Sequence, residues 1–449
     1  MNVSILKKLL LSACILLFCS GCSLAYGDGL LALPKLPGEY VQLQKQLDKV
    51  LEGGASYAVA ETGANRQAVQ LADLDADGVD EAIAFFRTAD GMYQIYVFRQ
   101  TDDGYAEVGM IEAYANTLHS IYYPRYNVEG RLMLIVCWGA EDTSGYGMTA
   151  LTMEASGLRT VLDLNYADML VQDLDNDRVD ELCFAVRDAV TGLYSARIYR
   201  WSGEKYEQLL DVSMCLEVKS VANMAYGMTL GDRYALFIDS QSISGGYVTD
   251  IISYDGRTAA NETIDPASGS GSATWRPISV FSADINDDGV LDVPVGRTGS
   301  DEQRSRLQWY DFRGGVEESM VASTYHCPTE AWYFVWPGAW GDVVQTTKIS
   351  SPNLFKTTFS VGIPTSSDPQ SNEEKDDRRT QLLSIWVFTG DNREEHRQLY
   401  PNLKLLKTTS TAIYCYSLNE SDFPNYALTD AQITSLFHTI EANWLSEVY

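Results

Sequence analysis

The chain has 449 residues, 45% of them hydrophobic and 11% aromatic, so it has enough apolar material for two or more cored domains and is not disordered. Its 61 acidic residues outnumber 33 basic ones, giving a formal net charge of -28. Such a surface repels phosphate backbones, which argues against a nucleic-acid partner.

The N-terminus reads as a targeting segment. Lys7 and Lys8 precede an apolar run from Leu9 to Phe18, too short to span a bilayer comfortably. Cys19-Ser20-Gly21-Cys22 follows. Small residues before a cysteine resemble the lipobox of bacterial lipoproteins, although Cys19 stands where that motif usually has an aliphatic residue. The resemblance makes residues 1–22 a lipoprotein signal peptide and Cys22 the lipidated residue. It implies an extracytoplasmic protein anchored to a bacterial membrane, since two acyl chains hold stably where one does not. An ordinary secretory peptide with incidental cysteines is the alternative.

Residues 23–54 read as a Gly- and Pro-containing tether followed by a short helix. Val41, Leu43, Leu47, Val50 and Leu51 recur near helical spacing over 39–52, and Gly53-Gly54 stops the pattern. Five cysteines lie beyond the signal: Cys137, Cys183, Cys215, Cys327 and Cys415. Cys137 and Cys183 fall inside apolar strand-like runs, where cysteine behaves as a small buried hydrophobe. The odd number and the lack of a C-x-x-C spacing favour core residues, with a single bridge as the other option.

From 55 to 327 the pattern is short strands broken by turns, and three loops spell nearly the same text. They carry Asp73, Asp75, Asp77 and Glu81; Asp173, Asp175, Asp177 and Glu181; and Asp284, Asn286, Asp288 and Asp292. Oxygen side chains thus occupy loop positions 1, 3, 5 and 9, the alternation that wraps a turn around one hard cation. Position 7 would add a backbone carbonyl from Val79, Val179 or Val290. An EF-hand needs a bidentate acid at position 12, but Ala84, Phe184 and Val295 stand there, so these are not EF-hands. Position 6 favours a positive φ. Glycine fills it in the first and third loops, whereas the second has Arg178.

Each loop is followed by an apolar strand ending in Arg87, Arg187 or Arg297. Between the loops, Tyr126–Val136 and Met228–Ile238 repeat the turn, arginine and apolar strand without the acidic loop. The period is therefore about 50 residues, with the loop on alternate units, as in propeller blades. The D-x-D-x-D-G loop plus apolar strand resembles the FG-GAP/VCBS repeat of integrin-alpha-like β-propellers. That resemblance implies a mainly β protein: a β-propeller of about five blades with two to three Ca2+ sites, used for recognition and scaffolding.

Residues 328–449 read as a separate α+β domain. It opens on Trp332, Tyr333, Phe334, Trp336 and Trp340, read as core, with a ligand-binding shelf as the alternative. Strands follow at Val343–Lys348, Thr357–Ile363, Leu382–Phe388 and Ala412–Ser417, interrupted by a hydrophilic loop over 366–379. A Thr429/Gln432 capping box starts a terminal helix whose apolar face would hold Ile433, Leu436, Phe437, Ile440 and Trp444. The aromatic opening and terminal helix faintly resemble PsbP/Mog1-like domains.

The four histidines share no metal-ligand spacing, and no residue sits in a nucleophile-elbow pattern. His438 is expected at the surface. No catalytic residue or organic cofactor is assigned. The expected function is a calcium-stabilised recognition lipoprotein with a protein or glycan partner. A surface enzyme acting on polysaccharide or peptidoglycan, with the propeller as platform, is the second reading.

Overall fold

The computed structural model describes residues 38–102, 104–139, 145–229, 233–299, 304–313, 316–362, 379–419 and 423–440. Cys22, the tether to residue 37, most of the 366–379 loop and Trp444 lie outside the described residues.

The described residues form six antiparallel sheets. The first contains Ser56–Tyr57, Val69–Ala72, Glu81–Arg87, Tyr93–Thr101 and Gly104–Ala113. The second runs through Thr117–Tyr122, Leu134–Gly139, Tyr146–Glu154 and Gly157–Tyr166 in sequence order. The third does the same with Asp168–Gln172, Glu181–Arg187, Tyr194–Trp201 and Tyr206–Ser213. The fourth comprises Val218–Thr229, Arg233–Ser242, Tyr247–Tyr254 and Ala259–Asn261. Short connections and in-order pairing follow from the roughly 50-residue repeat, because each unit is a local meander.

Each sheet buries both faces, and strand alternation explains how. In Glu81–Arg87, Ile83 and Phe85 point into a core shared with Leu134, Val136 and Trp138 of the second sheet. Ala82, Ala84 and Phe86 point the other way, onto Leu43 and Leu47 of helix α1 (Gly38–Glu52). The same two-faced pattern carries Cys183 and Ala185 toward the fourth sheet and Leu182 and Phe184 toward the second. Core strands buried on both sides read as unbroken apolar runs. All five described cysteines are buried and unpaired.

The fifth sheet orders Val293–Val295, Arg306–Arg313, Val316–Cys327, Trp332–Val335 and Phe437–Thr439. The sixth orders Val344–Ser351, Leu354–Gly362, Arg379–Thr389, Ala412–Leu418 and Lys404–Thr408, matching the four strands expected there and adding one. Helix α2 (Arg393–Gln398) lies between its third and fourth strands in sequence.

Two expectations for this region need correction. The boundary at 327/328 falls between strands that pair, with Cys327 opposite Trp332. One core also crosses it, joining Tyr325, Trp332, Phe334 and Trp340 to Phe359, Ile385 and Ile433. Helix α3 does start at the Thr429 capping box, but it spans only Asp430–Leu436. Phe437 leaves it to begin a strand, pairing with Phe334 and stacking on Trp332. The edge of Trp332–Val335 offers unpaired N–H and C=O groups, and satisfying them outweighs one more helical turn. Trp332, Phe334, Trp336 and Trp340 are all buried, as the core reading requires. His438 is exposed and stacks on Tyr333.

Candidate cation loops

The three acidic loops occupy one place in the repeat. Loops one and two each join two paired strands, and loop three precedes the strand Val293–Val295; each is closed where the residue before position 1 pairs with position 9: Ala72 with Glu81, Gln172 with Glu181, and Ala283 with Asp292. They therefore sit on the first, third and fifth sheets, the alternation the sequence indicates.

Within each loop the acids organise the backbone. Asp73 Oδ1 and Oδ2 accept the N–H groups of Asp77 and Gly78 at 3.1 and 2.9 Å. Asp173 does the same for Asp177 and Arg178 at 3.1 and 2.9 Å, and Asp284 for Asp288 and Gly289 at 3.0 and 2.7 Å. The acid at position 5 accepts the N–H of position 7 in all three: Val79, Val179 and Val290. Position 9 reaches back beneath the loop. Glu81, Glu181 and Asp292 accept the N–H groups of Leu74, Leu174 and Ile285 at 3.0, 2.8 and 3.0 Å. At position 6, Gly78 and Gly289 adopt φ of 88° and 87°, and Arg178 is held at 72°, the left-handed conformation expected there.

Loops two and three also tie their sheet to the one before. The position-8 N–H of Asp180 donates to Arg125 C=O at 2.7 Å, and that of Leu291 to Met228 C=O at 2.9 Å. Asp180 Oδ2 returns a bond from Arg125 N–H at 2.7 Å. The position-7 valines record the contact: Val179 and Val290 are 8% and 9% exposed, whereas Val79, with no preceding sheet, is 42% exposed.

The arginines that end the following strands are not part of these loops. Arg87 and Arg187 donate to the Gly91 and Gly192 carbonyls across the hairpin at the strand's far end. Different residues meet the loops, on the next strand of each sheet. Arg99 donates to Asp75 Oδ2 at 2.5 Å and Glu81 Oε1 at 3.4 Å. Arg200 bridges Asp175 and Glu181, the latter at 2.9 Å. In the fifth sheet Val293 pairs with Tyr310, so the matching residue beside Asp292 is Asp311. Sequence reasoning overlooked all three. They lie 18 to 19 positions after each position-9 acid, so aligning the repeats as far as the next strand would have found them.

Electrostatics set the third loop apart. Burial holds Glu81 and Glu181 at about 7, above the usual carboxylate range, against the pull of the Leu74 and Leu174 N–H groups. Asp292 is also driven well above that range, first by burial and then by Asp311 beside it. The carboxylates of Asp73, Asp75 and Glu81 lie close enough together to hold a metal, as do those of Asp173, Asp175 and Glu181.

No protein-family model matches the chain, and no curated protein matches it. Solved structures with some likeness include Sqt1 of Saccharomyces cerevisiae, at 12% identity over 76% of this chain and 93% of that one, with a TM-score of 0.32. A Lactobacillus plantarum protein shows 10% identity over 73% and 86%, with a TM-score of 0.29. The β-propeller domain of the Trilobed protease from Pyrococcus furiosus shows 10% over 72% and 91%, with a TM-score of 0.24. Scores this low carry no argument, so the architecture stands on the strand pairing described above.

Proposed function

We propose that this protein is a bacterial lipoprotein, anchored on the extracytoplasmic side of a membrane through Cys22, whose repeated sheets form a β-propeller of about five blades. In this reading the D-x-D-x-D-G loops are structural cation loops of the FG-GAP/VCBS type, and the propeller is a scaffold that binds a protein or glycan partner. The observation that carries it is the use made of the loops. Their acids are spent on loop N–H groups, and position 8 of loops two and three clips one sheet to the next. Elements that fix the relation between sheets serve a framework. The carboxylates Glu81 and Glu181, whose pKa near 7 would suit acid–base chemistry, are turned under their loops and engaged by arginine.

The test is a binding screen with the soluble 23–449 form against glycans and envelope proteins, with calcium and with chelator. Saturable binding of one class, lost when the protein melts, is the expected result. Turnover of polysaccharide or peptidoglycan without a stable complex would favour the enzyme reading instead.

A further inference from the structure

The contact that loops two and three make with the sheet before them has its parts repeated at loop one, where among the described residues nothing fills it. At loop two a single residue is held by both of its backbone groups. The Arg125 carbonyl accepts the Asp180 N–H, and the Arg125 N–H donates to Asp180 Oδ2, each at 2.7 Å. Beside it Val179 is buried, and Val171 packs into the core shared with the second sheet. At loop one Asp80 stands at position 8, and Leu71 and Val79 correspond to Val171 and Val179. Asp80 is exposed and has no hydrogen-bond partner among the described residues. Leu71 and Val79 are 47% and 42% exposed. Helix α1 covers part of this face in place of a preceding sheet. It packs on Ala82, Ala84 and Phe86, the counterparts of Leu182, Phe184 and Val186, and leaves Leu71, Val79 and Asp80 open. Single exposed apolar side chains need no explanation, but these occupy positions that lie under a neighbouring turn at loop two.

We propose that Leu71, Val79 and Asp80, at the open edge of loop one, are the docking seat for an arginine-bearing turn of a partner protein. This rests on the reading of the chain as a binding scaffold, and it states where the partner sits. The segment seated at loop two shows the chemistry such a seat takes. It is a turn, Pro124–Met133, closed by the Tyr126 N–H on the Arg131 carbonyl at 3.1 Å and the Met133 N–H on the Pro124 carbonyl at 2.9 Å. The held residue gives both an N–H and a C=O, as one residue of a peptide backbone does, and it cannot be proline. Burial raises the Asp180 carboxyl pKa, and the Arg125 N–H and guanidinium pull it back toward the charged form. Asp80 shares its loop with Asp73, Asp75 and Asp77 on a chain of net charge -28, so a basic occupant is electrostatically matched. A second copy of this chain cannot offer its own Pro124–Met133 turn, which is already engaged at Asp180.

The test uses the loop-two occupant as the probe. A backbone-cyclised, fluorophore-labelled peptide with the sequence Pro124–Met133 is titrated with the detergent-solubilised full chain, and anisotropy reads the binding. Saturable binding is expected. Val79→Asp and Asp80→Ala in the protein, and Arg125→Glu in the peptide, should each weaken it by about tenfold or more, because each removes a buried contact or a charge-assisted hydrogen bond. Circular dichroism establishes that the protein variants are folded. A protein partner found in the binding screen should lose affinity for the same two variants. No peptide binding, or binding indifferent to Val79→Asp and Asp80→Ala, would overturn the seat. A screened partner that binds both variants as tightly as the wild type would also overturn it and leave the scaffold reading standing. Self-association of the full chain that Val79→Asp abolishes would place a second copy there and overturn the partner assignment.

Discussion

Replacing Trp340 with alanine tests whether the aromatic run is core or ligand shelf. Trp340 is fully buried, with ring centroids 5.1 Å from Trp336, 5.2 Å from Phe359 and 5.8 Å from Phe334. Its Nε1 donates to the Tyr426 carbonyl at 2.9 Å, tying the start of this region to the approach to α3. Truncating a buried tryptophan costs about 3–5 kcal/mol in transfer and cavity terms. That is a large share of the roughly 5–15 kcal/mol that holds a typical domain together. Because one core spans the fifth and sixth sheets, Trp340→Ala should lower the urea midpoint of both sheets together. Urea unfolding followed by circular dichroism reads the loss. Trp340→Phe supplies the spectral control: the difference between wild-type and Trp340→Phe emission isolates this indole, which should be blue-shifted and protected from iodide. A loss below about 1 kcal/mol, or ready quenching of the difference spectrum, would refute the core argument and restore the shelf.

Arg178→Gly should stabilise loop two by up to about 1 kcal/mol, since the residue is held at φ 72°; Gly78→Arg should cost loop one a similar amount, and the reverse order in thermal melts would reject the strain. His326 is wholly buried between Trp309 and Tyr333, and burial lowers its pKa to about 3 from 6.5. Between those values the unfolded chain holds the extra proton, so this contribution is intact above pH 6.5 and is lost as pH falls toward 3. At pH 4.5 the loss amounts to about 3 kcal/mol, and His326→Phe should shrink the difference in urea stability between pH 7 and pH 4.5 by that much. A separately expressed 328–449 fragment should lack a cooperative melt, because the cut severs the pairing of Cys327 with Trp332 and takes Tyr325 from the core around Phe334; a sharp transition in that isolated fragment would restore the boundary. Cys22→Ala should abolish incorporation of a fatty-acid analogue, and labelling that persists would move the anchor elsewhere.

What the sequence made legible is what short-range spacing controls. The loops are readable because position 1 closes on positions 5 and 6 through hydrogen bonds within one turn. The strands at Glu81–Arg87 and Glu181–Arg187 are readable because burial on both faces leaves an uninterrupted apolar run. The failures share a different origin, contacts across elements. Helix α3 gives way to strand at Phe437 because an edge more than 100 positions upstream competes for its backbone. The boundary expected at 327/328 follows a change in composition, but Tyr325 and Cys327, before it, pack in the core of Trp332, Phe334 and Trp340 after it. The loops show the same division within a few ångströms. Their ligand-like oxygens are encoded in nine consecutive residues, but the residue that faces those oxygens is set by strand register: Arg99 and Arg200 at the first two loops and Asp311 at the third. An acidic loop motif therefore specifies a backbone shape with negative oxygens inside it. In loops one and two an arginine of the neighbouring strand reaches into that shape, whereas at loop three the matching residue is Asp311, so three copies of one motif in one chain need not meet the same neighbour.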